Sequence, residues 1–142
     1  REVPYTDGKI NGVKKGYYES GKLGNETTYI NGQEGLTKKY DENGKLKSEC
    51  SYINGEINNG VTKDYYKSGK LESETPYING KKGVWKYYYE SGKLQQETPY
   101  TNNQIDGVQK GYYENGKLQR ETTYTNGKEG VTKLYDENGK LM

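Results

Sequence analysis

The sequence predicts an all-β fold: an elongated, twisted, single-sheet antiparallel β-meander. It is built from about six β-hairpin repeats of 23–25 residues and forms one domain over residues 1–142. Three observations carry this. A glycine and a Gly-Lys-Leu stand nine residues apart six times: Gly12 to Gly21, Gly35 to Gly44, Gly60 to Gly69, Gly83 to Gly92, Gly107 to Gly116 and Gly130 to Gly139. A leucine and a tyrosine stand six apart five times, from Leu23 to Tyr29, Leu46 to Tyr52, Leu71 to Tyr77, Leu94 to Tyr100 and Leu118 to Tyr124. The 142 residues include 17 Tyr and 20 Gly but neither Phe nor Ala, which disfavours helix and favours strands and turns. A fixed period denotes repeated supersecondary units that touch mainly their neighbours, and it points away from an enzyme with one central site.

Each element follows in order. The first arm reads Val/Leu, any residue, Lys, any residue, Tyr, most clearly in Gly83-Val84-Trp85-Lys86-Tyr87-Tyr88-Tyr89-Glu90-Ser91-Gly92-Lys93-Leu94. Its alternation is that of a strand. A tight Ser-Gly or Asn-Gly turn follows, then the Leu-to-Tyr arm. Constant lengths in both arms belong to paired strands, where an insertion would slip the register. All length variation falls between that Tyr and the next Gly. The loops after Tyr29, Tyr77 and Tyr124 are short; those after Tyr5, Tyr52 and Tyr100 are longer and contain Ile10, Ile57 and Ile105. Asn-Gly between alternating runs is a strong hairpin signal. Twelve such strands at a spacing of ~4.8 Å give a ribbon roughly 55–60 Å long.

Facing depends on the tight turn. A two-residue turn at Ser20-Gly21 sets Lys15 opposite Glu26 and Lys86 opposite Glu97. A three-residue loop with a glycine bulge instead unites Val13, Lys15, Tyr17, Leu23, Thr27 and Tyr29 on one face. An exposed ion pair contributes about 0.2–1 kcal/mol, whereas a well-covered apolar side chain contributes roughly 1.5–3 kcal/mol. Magnitude favours the bulged turn.

Hydrophobic residues make up 28% of the chain, against about 45–50% in an average domain. Such polarity would suggest disorder, but the strict repeat and the aromatic content oppose it. Tyr without Phe implies that the hydroxyl is used: an apolar ring with a wet tip suits a half-exposed sheet. Net charge is +2 with the signs interspersed, so the basic stripe of a nucleic-acid binder is missing. The turn residues Lys22, Lys45, Lys93, Lys117 and Lys140 each follow a Glu by three positions, and only Lys70 follows a Lys. No transmembrane run or signal peptide is visible. The chain starts at Arg1 and stops at Met142 within a repeat. It therefore reads as a fragment lacking its N-terminus, from a protein exported to the cell surface or retained in the cytoplasm. One Cys forms no internal disulfide.

Little can carry chemistry. The absence of His removes the commonest general base and metal ligand. Cys50 fills the slot of Thr27, Thr75, Thr98 and Thr122 and has no evident cationic partner, so it reads as a half-buried substitute for Thr. Asp41-Glu42-Asn43-Gly44 opens like a calcium loop but lacks the remaining ligands, and reads as a turn. Asn25-Glu26-Thr27, a formal glycosylation triplet, lies within a predicted strand. No catalytic residue, metal-ligand set or cofactor motif is found.

Two departures from the repeat are candidate contact sites. Trp85, Tyr87, Tyr88 and Tyr89 concentrate rings in the fourth copy, with Trp85 and Tyr87 standing where other copies carry Lys14 and Gly16, Thr37 and Lys39, or Thr62 and Asp64. By alternation Trp85, Tyr87 and Tyr89 share a face, as interface anchors would. Ile10, Ile57 and Ile105 project from alternate loops along one edge, about 19 Å apart; packing over the sheet edge accounts for them more simply than contact does.

The unit Asn-Gly-x-Gly-Val-x-Lys-x-Tyr-Tyr-Glu-Asn-Gly-Lys-Leu-x-x-Glu-Thr-x-Tyr, repeated from Tyr5 to Leu141, resembles the bacterial variant of the MORN (membrane occupation and recognition nexus) repeat. The resemblance implies a β-hairpin repeat that acts as a protein-interaction or lipid-associated module. Bacterial relatives are often described as antitoxins, others as phosphatidylinositol-phosphate kinases, although the chain carries no kinase machinery. The usual Gly-x-Gly after the loop is reduced here to one Gly. Gly83-Val84-Trp85-Lys86-Tyr87-Tyr88-Tyr89 also resembles the cell-wall-binding repeats of Gram-positive surface proteins. The expected partner is a protein. The alternatives are a membrane or phosphoinositide surface met by Lys22, Lys45, Lys70, Lys93, Lys117 and Lys140, and a glycan stacked on the rings. Open strand edges at the ribbon ends favour edge-to-edge self-association.

Overall fold

A computed structural model describes residues 3–54 and 59–142. Ile57 lies outside the described residues. The elements are β1 (Tyr5–Thr6), β2 (Lys9–Ile10), β3 (Gly12–Tyr17), β4 (Leu23–Ile30), β5 (Gln33–Tyr40), β6 (Leu46–Ser51), β7 (Val61–Tyr65), β8 (Leu71–Ile78), β9 (Lys81–Lys82), β10 (Trp85–Tyr88), β11 (Leu94–Thr98), β12 (Tyr100–Thr101), β13 (Gln104–Ile105), β14 (Gly107–Tyr112), β15 (Leu118–Thr125) and β16 (Lys128–Leu134). Among the described residues there is no α-helix. One 12-stranded antiparallel sheet runs β3-β4-β5-β6-β7-β8-β10-β11-β14-β15-β16, with β9 paired to β8, and two-stranded tips β1-β2 and β12-β13 project from it. This is the meander that the spacing predicts. Its surface of 9167 Å² exceeds the roughly 7,500 Å² of a compact monomer of this mass. The sheet is a single layer, and few side chains are fully covered.

The turns explain why each arm keeps its length. At the tight turn Tyr18 N–H donates to Lys22 O (2.8 Å) and Gly21 N–H to Tyr18 O (2.9 Å). With Gly21 at φ 79°, this is the three-residue loop with a glycine bulge. Asn31 and Gly32 both have positive φ (52° and 84°), and Ile30 pairs with Gln33; this is the two-residue Asn-Gly turn that matches strand twist. The opening glycine is needed for close approach: a Cβ on Gly107 would lie 3.1 Å from Pro99 Cγ, and one on Gly130 2.7 Å from Thr123 Oγ1.

One expectation is corrected. A second bulge, between Gly16 and Tyr17 on one side and Asn25 and Leu23 on the other, resets the register so that Lys15 pairs with Glu26 and Val13 with Thr28. Thr27 and Tyr29 pair with Lys14 and Gly12 and therefore lie on the face opposite Val13, Lys15, Tyr17 and Leu23. The ion-pair register and the bulged turn thus coexist, because two one-residue shifts cancel. The same offset recurs at Lys39/Tyr40, Asp64/Tyr65, Tyr87/Tyr88 and Gly111/Tyr112.

Hydrogen-bond ladders stitch one repeat to the next. On the first face Tyr40 donates to Glu26 (2.6 Å), Tyr65 to Glu49, Tyr88 to Glu74 and Tyr112 to Glu97 (each 2.7 Å), and Tyr135 to Glu121 (2.9 Å). Lys63, Lys86 and Lys110 lie 3.5, 4.0 and 3.9 Å from Glu49, Glu74 and Glu97. At the tight turns the hydroxyls of Tyr18, Tyr66, Tyr89 and Tyr113 donate to the carbonyls of Tyr40, Tyr88, Tyr112 and Tyr135 in the following repeat. The hydroxyl is therefore the reason for Tyr over Phe. At the loop tips Asn11, Asn59 and Asp106 accept from the backbone N–H of Asn31, Asn79 and Asn126 (3.4, 3.1 and 3.2 Å).

Candidate functional site

The opposite face carries two cross-strand rows. One contains Thr27, Thr37, Cys50, Thr62 and Thr75 and continues through Trp85, Thr98, Gln109, Thr122 and Thr132. The other contains Asn25, Lys39, Ser48, Asp64, Ser73, Tyr87, Gln96, Gly111 and Arg120. Small polar side chains dominate both. Thr27 and Thr37 share a hydroxyl contact of 2.9 Å, and Thr122 and Thr132 one of 3.0 Å. Thr98 is only 1% exposed and accepts from Gln96 Nε2 (3.1 Å) and Gln109 Nε2 (3.0 Å).

Trp85 and Tyr87 interrupt these rows at the middle of the sheet. Their rings stack with centroids 5.6 Å apart and planes at 28°. Tyr66, from the preceding repeat, meets Tyr87 edge-on at 6.4 Å and 65°. Tyr87 donates to Glu72 Oε1 (3.0 Å). Hydrogen bonding with Tyr66 first, and with Glu72 second, pushes the Tyr87 phenol well above its ordinary range. Trp85 and Tyr87 are half-buried, and among the described residues nothing accepts the Trp85 indole N–H. Of the expected ring cluster, Trp85 and Tyr87 are brought together. Tyr88 lies on the far face, bound to Glu74, and Tyr89 begins the tight turn with its hydroxyl on Tyr112 O. Sequence reasoning missed Tyr66 and Glu72. The recurrence of Tyr18, Tyr66, Tyr89 and Tyr113 in one slot was the available signal, since each reaches into the next repeat.

Ile10 and Ile105 are half-buried and pair with Tyr5 and Tyr100. Their carbonyls accept from Gly32 and Gly127 (2.8 Å each). Cys50 sits in the threonine row as anticipated; burial pushes its thiol up and away from the reactive thiolate. Asp41 closes its turn by accepting from Asn43 N–H (2.8 Å) and Lys45 N–H (2.9 Å). These bonds, with Lys45 foremost, hold its carboxyl below the usual range. Among the described residues no three His, Cys, Asp or Glu side chains cluster to hold a metal ion, and no helix is long and apolar enough to cross a membrane.

An open sheet of stacked hairpins, with its distinguishing side chains on a flat face, defines a β-hairpin repeat protein. The chain belongs to the MORN repeat variant family, whose model matches residues 10–31, 33–54, 58–79, 81–102, 105–126 and 128–142. No curated protein matches the sequence significantly. Solved structures similar in fold include two of TarM. The crystal structure of TarM matches at 16% identity and a TM-score of 0.50, over 73% of this chain and 20% of that one. A mutant of S. aureus TarM in complex with fondaparinux, alpha-GlcNAc-glycerol and UDP matches at 15% identity and 0.51, over 72% and 20%. The chain spans about one fifth of the length of these TarM chains, and the likeness is one of fold.

Proposed function

We propose that this chain is a non-catalytic protein-interaction module that anchors its partner on Trp85, Tyr87 and Tyr66. The observation that supports this reading is the interruption itself. A polar, evenly repeated face is interrupted by a ring cluster, and that cluster offers an indole donor that no other described residue accepts. Trp and Tyr are the residue types that dominate binding energy at protein interfaces. Neutralising a toxin, or assisting a surface protein, in a bacterium are roles of this kind. Tyr88 and Tyr89 support the cluster by holding its strand to its neighbours, and Ile10 and Ile105 add secondary contacts at the loop edge. The lipid reading draws less support, because Lys22 and Lys45 donate to the carbonyls of Glu42 and Lys67 (2.8 Å each).

The test uses substitutions already tolerated by this repeat. Trp85→Thr with Tyr87→Lys installs the pair found at Thr37 and Lys39. The immobilised chain is exposed to soluble protein from the organism that carries it. The double variant should keep the parental far-ultraviolet circular dichroism and hold its partner roughly 30-fold more weakly or worse, as expected of a hot spot. Undiminished retention would remove the cluster from the account.

A further inference from the structure

We infer that Trp85, Tyr87 and Glu72 form a one-electron relay. When an oxidising radical takes an electron from the Trp85 indole, Tyr87 passes an electron to the indole and its phenol proton to Glu72. The substrates are neutral one-electron oxidants, such as peroxyl radicals, and the inference does not depend on the partner proposed above.

Three departures from the repeat meet at this point. Trp85 stands in the threonine row and Tyr87 in the row of small polar side chains. Glu72 stands at the bulge position that holds Gly24, Lys47, Gln95 and Gln119 in other copies. That position accepts any side chain, so the backbone does not require an acid there. The fold brings the three into one chain of contacts. Indole stacks on phenol at 5.6 Å and 28°, and the phenol hydroxyl donates to the carboxylate at 3.0 Å.

These contacts set the direction of transfer. Stacked rings let an electron pass without either side chain moving. Loss of an electron turns a phenol into a strong acid, so a tyrosine yields its electron readily only where a base takes the proton in the same step. Tyr87 has such a base, since an ionised carboxylate is an acceptor alone. Tyr66 meets Tyr87 edge-on at 6.4 Å, but its hydroxyl donates to the Tyr88 carbonyl, and an amide carbonyl does not hold a proton at neutral pH. The transfer therefore stops at Tyr87. Glu72 also differs from carboxylates of the far face. Glu49, Glu74 and Glu97 each have a lysine ammonium within 4.0 Å, which opposes an incoming proton; among the described residues none pairs with Glu72.

The step balances. The oxidant radical gains one electron and leaves as its anion. The indole loses that electron and regains one from Tyr87, and any proton it lends to water returns with it. Tyr87 ends as a neutral phenoxyl radical and Glu72 as a carboxylic acid, which gives its proton to solvent. Trp85 is thereby returned intact. A one-electron donor such as ascorbate then reduces the phenoxyl radical, and water supplies its proton. Trp85 and Tyr87 are half-buried, so both oxidant and reductant reach the site.

The probe is the azide radical, generated by pulse radiolysis of the chain in azide solution saturated with nitrous oxide, with indolyl and phenoxyl absorption followed separately. The chain has a single Trp, so the indolyl band reports Trp85 alone. Its decay should be first-order, independent of protein concentration and matched by phenoxyl growth. Tyr87→Phe keeps the stacked ring and should remove this phase. Glu72→Gln keeps an acceptor oxygen but no base, and should slow the phase about tenfold or more, with water as the remaining proton acceptor. Tyr112→Phe removes a phenol of the far-face ladder and should leave the phase unchanged. An undiminished phase in Tyr87→Phe or in Glu72→Gln, an equal loss in Tyr112→Phe, or a decay rate that scales with protein concentration would overturn the inference.

Discussion

Tyr88→Phe removes one hydroxyl and leaves its ring in place. That hydroxyl donates to Glu74 Oε1 at 2.7 Å, and Lys86 Nζ lies 4.0 Å from the same oxygen. A hydrogen bond to a charged acceptor contributes about 1.5–3 kcal/mol net; solvent reaches this pair, which places it toward the lower end. The Lys86 and Glu74 side chains are 42% and 25% exposed, so their ion pair contributes at most about 0.5 kcal/mol. A double-mutant cycle between Tyr88→Phe and Glu74→Ala, read from urea unfolding, should therefore give a coupling of about 1–2 kcal/mol. The cycle between Lys86→Met and Glu74→Ala should give no more than about 0.5 kcal/mol. A Tyr88–Glu74 coupling near zero, or one smaller than Lys86–Glu74, would refute the claim that hydroxyl-to-carboxylate bonds, rather than ion pairs, join the repeats.

Three further outcomes are expected. Tyr29 and Tyr40 are pushed up to about 12, the first chiefly by its hydrogen bond to Glu34 and the second chiefly by burial, with Glu26 next; Tyr65, Tyr88 and Tyr112 are pushed further in the same direction, chiefly by burial. Because the folded state holds these protons more tightly, their contribution is intact below about pH 10 and is lost as pH rises through about 12. An ultraviolet titration in which every tyrosine ionises near the ordinary value, with stability flat across that window, would contradict this. Thr98→Val strands two glutamine donors at a buried site and should lower stability by about 1–3 kcal/mol in urea unfolding; an unchanged midpoint would show that the amides find other acceptors. Cys50→Thr restores the row's usual residue and should leave stability within about 0.5 kcal/mol, while the native thiol reacts with a disulfide reagent more slowly than free cysteine.

The parts legible in advance were those with a residue signature. Asn31-Gly32 needs two positive φ values and Gly21 one, and few residues adopt them, so turns, strand order and fold class could be read directly. The second bulge carries no such mark. Its extra residue is Gly24, Lys47, Glu72, Gln95 or Gln119 in successive copies, because a bulge near the helical region accepts any side chain. That is why Thr27 and Tyr29 were placed on the wrong face. The ring cluster was half visible: Trp85 and Tyr87 are neighbours along one strand, but Tyr66 and Glu72 join them from the preceding hairpin, and that proximity depends on register.

The tip bonds from Asn11, Asn59 and Asp106 to Asn31, Asn79 and Asn126 tie a longer hairpin to the shorter one that follows it, three times over. The ribbon is accordingly built of couples, and its seams are of two alternating kinds. A recombination event that gained or lost a single hairpin would set two tips of equal length side by side and leave one without its acceptor. Growth or shrinkage by twos preserves every seam, so chains of this architecture should differ in length by even numbers of hairpins.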